Sequence, residues 1–105
     1  MLEEETAMTI NKTLNGNDLT IALEGRLDTT TAPDLEKELK ESLDGVETLT
    51  MDLGDLAYIS SAGLRVLLSA HKTMIAKGGM KVTHVNEIVQ EVFEVTGFAD
   101  ILNIE

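Results

Sequence analysis

Three times along this chain a run of alternating apolar residues gives way to a run spaced by three and four, and this repeated change of period limits the fold more than any other feature. Leu19, Ile21 and Leu23 alternate with polar neighbours, and Leu35, Leu39 and Leu43 then follow at helical spacing. Leu49, Met51 and Leu53 alternate in "TLTMDL" opposite Thr50 and Asp52. The stretch Ala62–Lys77 next sets Leu64, Leu67, Leu68, Met74 and Ile75 on one helical face and Arg65, Ser69, Lys72 and Thr73 on another. Met80 and Val82 begin another alternating run, and the pairs Ile88-Val89 and Val92-Phe93 return at helical spacing. An earlier alternation at Met8, Ile10 and Leu14 stands apart, joined to the Leu19 run by Asn15-Gly16, a hairpin signature.

Punctuation agrees with this division. Thr31 with Asp34 three residues later has the form of a capping box, and Pro33 is tolerated in a first turn. Gly45, Gly78-Gly79 and Gly97 stop the three helices, Asn86 caps the last, and Glu36 can pair with Lys40 on a wet face. The predicted order is strand, strand, helix, strand, helix, strand, helix, with "DILNIE" adding a short last strand at the sheet edge. Strands that bracket helices run parallel, while the first hairpin supplies an antiparallel pair. Strands covered on both faces read as continuous apolar runs, whereas every strand here alternates. The fold class is therefore α/β, a mixed β-sheet with helices packed mainly on one face. Residues 1–7, with three successive glutamates, read as a flexible acidic N-terminal tail, and residues 8–105 as a single domain.

The chemistry the residues permit is narrow. Nineteen acidic against eight basic residues give a net charge of −11, which repels phosphate backbones and anionic lipid, so no nucleic acid is expected as a partner. No apolar run approaches the roughly 20 residues that span a bilayer, and no direct membrane insertion is expected. The start "MLEEET" lacks the form of a signal peptide and the chain has no cysteine, which fits a cytoplasmic address. Three aromatic residues, Tyr58, Phe93 and Phe98, offer little for stacking bases or sugars.

Two histidines make a poor catalytic inventory. His71 lies in the apolar stripe of the central helix, and ten residues of helix, about 15 Å, separate it from Ser61. His84 sits near the end of the fourth strand. A small hydrolase with Ser61 as nucleophile and His84 as base lacks a nameable orienting acid or oxyanion loop. No metal-ligand spacing is present, and "GGMK" follows a helix and precedes a strand, the reverse of a phosphate loop. The expectation is a protein without catalytic residues, metal or cofactor.

The remaining candidate is the serine pair in "ISSAGLRVLL". Ser60 or Ser61 can cap the helix, accepting a bond from an amide of its first turn. The same amides and the positive end of the helix dipole also favour an added phosphate, with Arg65 one turn beyond Ser61. A phosphate of about −1.5 to −2 charges on so acidic a surface would repel a partner that docks by apolar contact.

Together "IALEGRLDTTTAPDLEKEL", "LTMDLGDLAYISSAGLRVLLSAHKTMIAKGGMKV" and "VQEVFEVTGFADILNIE" resemble a STAS domain of the bacterial anti-sigma factor antagonist type, over nearly the whole chain after the acidic tail. The resemblance implies a non-catalytic binding module. In its unphosphorylated form it sequesters an anti-sigma factor that is a serine kinase, that kinase inactivates it by phosphorylating a serine at this helix start, and a PP2C-type phosphatase restores it. It implies Ser61 as phosphoacceptor and a partner-binding corner of Asp28, Ser60, Ser61 and Arg65. Asp28 also reads as a turn residue bonding its own backbone. Family members typically carry aspartate before the phosphoacceptor, where this chain has Ser60, a departure that either makes Ser60 the alternative acceptor or abolishes phosphorylation. The competing expectation is a constitutive adaptor, such as the STAS subunit of a membrane-lipid ABC transporter.

Overall fold

The computed structural model describes residues 8–105, so the acidic tail expected at 1–7 lies outside the described residues. Four strands, β1 (Met8–Asn15), β2 (Asp18–Leu27), β3 (Thr48–Ile59) and β4 (Met80–Thr83), form one sheet in that order among the described residues. The helices are α1 (Ala32–Ser42), α2 (Ser61–Ile75) and α3 (Glu87–Thr96). β1 pairs antiparallel with β2, and β2, β3 and β4 run parallel, as the alternation of strand and helix requires.

One face of the sheet holds the core. Leu19, Ile21, Leu23, Leu49, Met51, Leu53, Met80 and Val82 are buried, while the intervening residues Thr20, Ala22, Thr50 and Lys81 are not. Leu35 and Leu39 of α1, Leu64, Leu67 and Met74 of α2, and Val89 and Phe93 of α3 close over that face. Helices thus lie on one side, and the opposite side of the sheet is an open face rich in threonine and charge.

The structure moves several boundaries. Asn15 pairs with Asp18, so the two-residue loop is Gly16-Asn17, one position later than Asn15-Gly16; Gly16 takes the positive φ of 63° that such a loop demands. α2 begins at Ser61 instead of Ala62 and ends at Ile75 instead of Lys77. Ile75 is 65% exposed, and Val66 and Ala70 complete the buried stripe in its place. The capping box is not formed, because the Thr31 hydroxyl donates to the Arg26 carbonyl (2.9 Å) and accepts from the Asp28 amide (2.8 Å) instead of capping α1. The expected last strand reduces to a single parallel bridge between Val82 and Ile104, after a short 3-10 turn at Phe98–Asp100.

The largest difference lies in β3, which runs on to Ile59. Its pairing with β2 slips by one residue between Ala22 and Glu24 and again between Gly25 and Arg26. Each bulge puts an extra residue into β3 and so reverses the phase of burial. Leu53, Leu56 and Ile59 consequently all face the core at a spacing of three, and the Asp52 carboxylate accepts from the Gly54 amide (3.0 Å) within the first bulge. Without the slips, Leu56 would face water.

Candidate functional site

The lengthened β3 ends level with β2, and there the candidate residues meet. Leu27 and Ile59 are register partners, and the Ser60 amide donates to the Leu27 carbonyl (2.9 Å). The loop leaving β2 at Asp28 therefore lies beside the residues that start α2. Gly63 lets the helix approach this closely: a Cβ there would stand 2.6 Å from Leu27 Cγ and 3.0 Å from Ile59 Cγ1. The small residues of "SSAGL" seat the first turn of α2 against the two strand ends.

The two serines are placed differently. Ser60 is the N-cap, extended at φ −102° and ψ 177°, half-buried, with its Oγ accepting from the Gly63 amide at 3.5 Å. Ser61 is the first helical residue and is exposed. The first turn of α2 contains no acidic residue, so the helix supplies no carboxylate of its own against the positive end of its dipole. Arg65, one turn on, is exposed and forms no ion pair among the described residues. Beside it a cleft of about 340 Å³ separates α2 from the start of α1, lined by Thr29, Ala32, Pro33, Ala62 and Arg65 among others.

Asp28 organises the neighbouring loop. Its Oδ1 accepts from the Thr30 amide (3.0 Å), the Thr30 hydroxyl (2.8 Å) and the Thr31 amide (3.2 Å), the self-bonded turn that its sequence context also allowed. Chiefly the Thr30 hydroxyl, opposed by desolvation and assisted by the two amides, holds its carboxyl below the ordinary value of 3.8. Its Oδ2 lies 3.5 Å from Arg26 Nε, and the Arg26 guanidinium sits 4.5 Å from the centroid of the Tyr58 ring. Asp28, Ser60, Ser61 and Arg65 are thus gathered at one corner. Arg26 and Tyr58 join it from the open face, as sequence reading did not anticipate, because their pairing exists only in the bulged register.

The histidines lie elsewhere. His84, at the left-handed φ of 57°, places Nδ1 3.2 Å from Asp52 Oδ1. Asp52 precedes Ser60 by roughly 20 Å of strand, at about 3.3 Å per residue and allowing for the bulges. That distance removes His84 as a base for Ser61, and with it the hydrolase arrangement. His71 is half-buried on α2, its Nδ1 sealed without a hydrogen-bond partner. Among the described residues no group of three His, Cys, Asp or Glu side chains converges as a metal site. No helix of the described residues is long and apolar enough to cross a membrane.

Comparison with known proteins identifies the family and the fold. Residues 9–105 match the family model described as STAS domain. The anti-sigma-B factor antagonist of Bacillus subtilis is 31% identical over 91 residues, covering 86% of this chain and 84% of that protein. BtrV of Bordetella bronchiseptica, provisionally named an anti-sigma factor antagonist, is 40% identical over 88 residues, covering 82% and 76%. Among solved structures, an anti-sigma factor antagonist from Mycobacterium paratuberculosis superposes with a TM-score of 0.85 at 20% identity, covering 98% of this chain and 89% of its own. SpoIIAA, solved in unphosphorylated and phosphorylated forms, gives TM-scores of 0.79 and 0.72 at 17% and 16% identity. These cover 92% of this chain in both cases, and 88% and 91% of their own. By its family match, its relatives and its fold, this chain belongs to the STAS domain family and resembles the anti-sigma factor antagonists within it.

Proposed function

We propose that this chain is a cytoplasmic anti-sigma factor antagonist. Its corner of Asp28, Ser60, Ser61 and Arg65 docks an anti-sigma factor serine kinase, phosphorylation of Ser61 by that kinase ends the interaction, and a PP2C-type phosphatase restores it. The observation that carries the reading is the contrast between the serines. Ser60 is half-buried and spends its hydroxyl on the cap, while Ser61 is exposed on the first turn of α2 with no carboxylate near it in that turn. A phosphate on Ser61 would sit where helix amides and Arg65 stabilise it. It would also place about two further negative charges on a surface where the partner must approach.

Incubation with the cognate kinase and ATP, followed by peptide mass mapping, tests the proposal. Phosphate on Ser61, removal of that phosphate by a PP2C-type phosphatase, and loss of kinase binding in Ser61→Asp are the expected results. Phosphate on neither serine, together with co-purification of a transporter ATPase subunit instead of a kinase, would establish the constitutive adaptor in its place.

A further inference from the structure

The last helix carries a surface that the corner at Ser61 does not use. Val89 and Phe93 turn α3 onto the sheet and are wholly buried. Helical spacing then places Ile88, Val92 and Val95 (i, i+4, i+7) together on one outer shoulder. Ile88 is 61% exposed and Val95 79%, with Val92 half-buried between them. A single exposed aliphatic residue is ordinary; three in register on one shoulder form a contiguous patch.

The border of that patch is charged with one sign. α3 carries Glu87, Glu91 and Glu94 and no basic residue, and none of these glutamates takes part in an ion pair among the described residues. On the helix they follow the face adjoining the apolar stripe, and with Asn86 and Gln90 they line a shallow depression of about 480 Å³. A second copy of this chain, at a net charge of −11, would bring like charges together there. A cationic segment gains attraction on the glutamate side and buries its apolar side chains on the other.

We propose that the outer shoulder of α3, built from Ile88, Val92 and Val95 and bordered by Glu87, Glu91 and Glu94, docks a basic amphipathic helix of a partner protein. The mode is helix against helix, with aliphatic anchors one turn apart meeting the stripe and lysine or arginine side chains meeting the glutamates.

The full chain, isotopically labelled, is titrated with a Leu/Lys peptide of about four helical turns, and backbone amide shifts are followed. Controls are a scrambled peptide of the same composition and a Leu/Glu counterpart. Shifts should concentrate on Glu87–Val95, appear with neither control, and weaken with added salt. Val95→Glu and Ile88→Glu should each weaken binding about tenfold, and the Glu91→Lys/Glu94→Lys double variant should abolish it. Both aliphatic positions are exposed, so these variants should keep the wild-type melting temperature. Shifts scattered over the acidic surface, an equal response to the scrambled peptide, or self-association of the free protein that Val95→Glu abolishes would each overturn the proposal. Ser61 plays no part in this titration, so its failure would leave the kinase-docking reading standing.

Discussion

Adding one methyl group at Gly63 tests whether the corner depends on close approach of α2 to the strand ends. In Gly63→Ala the new Cβ would stand 2.6 Å from Leu27 Cγ and 3.0 Å from both Leu27 Cδ2 and Ile59 Cγ1. Carbon atoms at rest sit about 3.5–4.0 Å apart, so Leu27 or the helix must yield by roughly 1 Å. Leu27 is 0% exposed and Ile59 2%, which leaves neither an empty direction to move. Overpacking of this kind costs about 1–3 kcal/mol, and the better helix propensity of alanine returns about 1 kcal/mol. The net expectation is a loss of up to about 2 kcal/mol, read as a melting temperature lower by up to about 10 °C. Thermal melts followed by circular dichroism, and urea unfolding with an unchanged slope, measure it. The Leu27→Ala/Gly63→Ala pair supplies the control: with room made for the methyl, the alanine at 63 should cost nothing further. A single variant more stable than the parent would refute the argument that glycine is there for space.

Other measurements probe the same corner. Asp28 has its carboxyl held below the ordinary value of 3.8 by the Thr30 hydroxyl and the loop amides. A depressed carboxyl stabilises the folded state above its unfolded value and loses that contribution as pH falls through the lower folded one. Urea midpoints of the parent should therefore exceed those of Asp28→Asn at pH 7, with the gap closing below about pH 4; a gap independent of pH would remove the carboxylate from the explanation. Ser60→Ala should cost about 0.5–1 kcal/mol in urea unfolding, since a capping bond at 3.5 Å is a long one, whereas Ser61→Ala should leave stability unchanged. The opposite ranking would mean that the cap had been assigned to the wrong serine.

Much of this architecture is legible in the residues, and the exceptions share a cause. The three helices and the mixed sheet follow from period alone, because Leu35 and Leu39, Leu64 and Leu67, and Val89 and Phe93 have no other way to bury one face. The full course of β3 escapes such reading, since Leu53, Leu56 and Ile59 stand at a spacing that suggests no strand until two bulges reverse its phase. Arg26 beside Tyr58 escapes for the same reason, as their juxtaposition depends on the shifted register. The Thr31 capping box failed differently. The local pattern was present, but the Arg26 carbonyl and the Asp28 amide, five and three residues upstream, competed for the same hydroxyl and won. Ile75 illustrates a third limit, because hydropathy marks a residue as able to be buried, and only the end of the sheet beneath it decides whether it is.

The division between the two serines follows from helix geometry, and it bears on why a chain with Ser60 in place of aspartate can keep the corner intact. An N-cap position asks for an oxygen acceptor on a short side chain, a demand that serine and aspartate both meet. Exchanging one for the other therefore preserves the cap on Gly63 and the seating of α2 on Leu27 and Ile59. What the exchange removes is a negative charge at the positive end of the helix, leaving the first turn of α2 with no carboxylate to balance its dipole. An anion arriving on the adjacent exposed hydroxyl of Ser61 would then meet that amide end with no like charge in the same helical turn. Under the proposed function, the substitution favours a phosphate at Ser61 on electrostatic grounds, while it withdraws a carboxylate that a metal or nucleotide of the proposed kinase would have met.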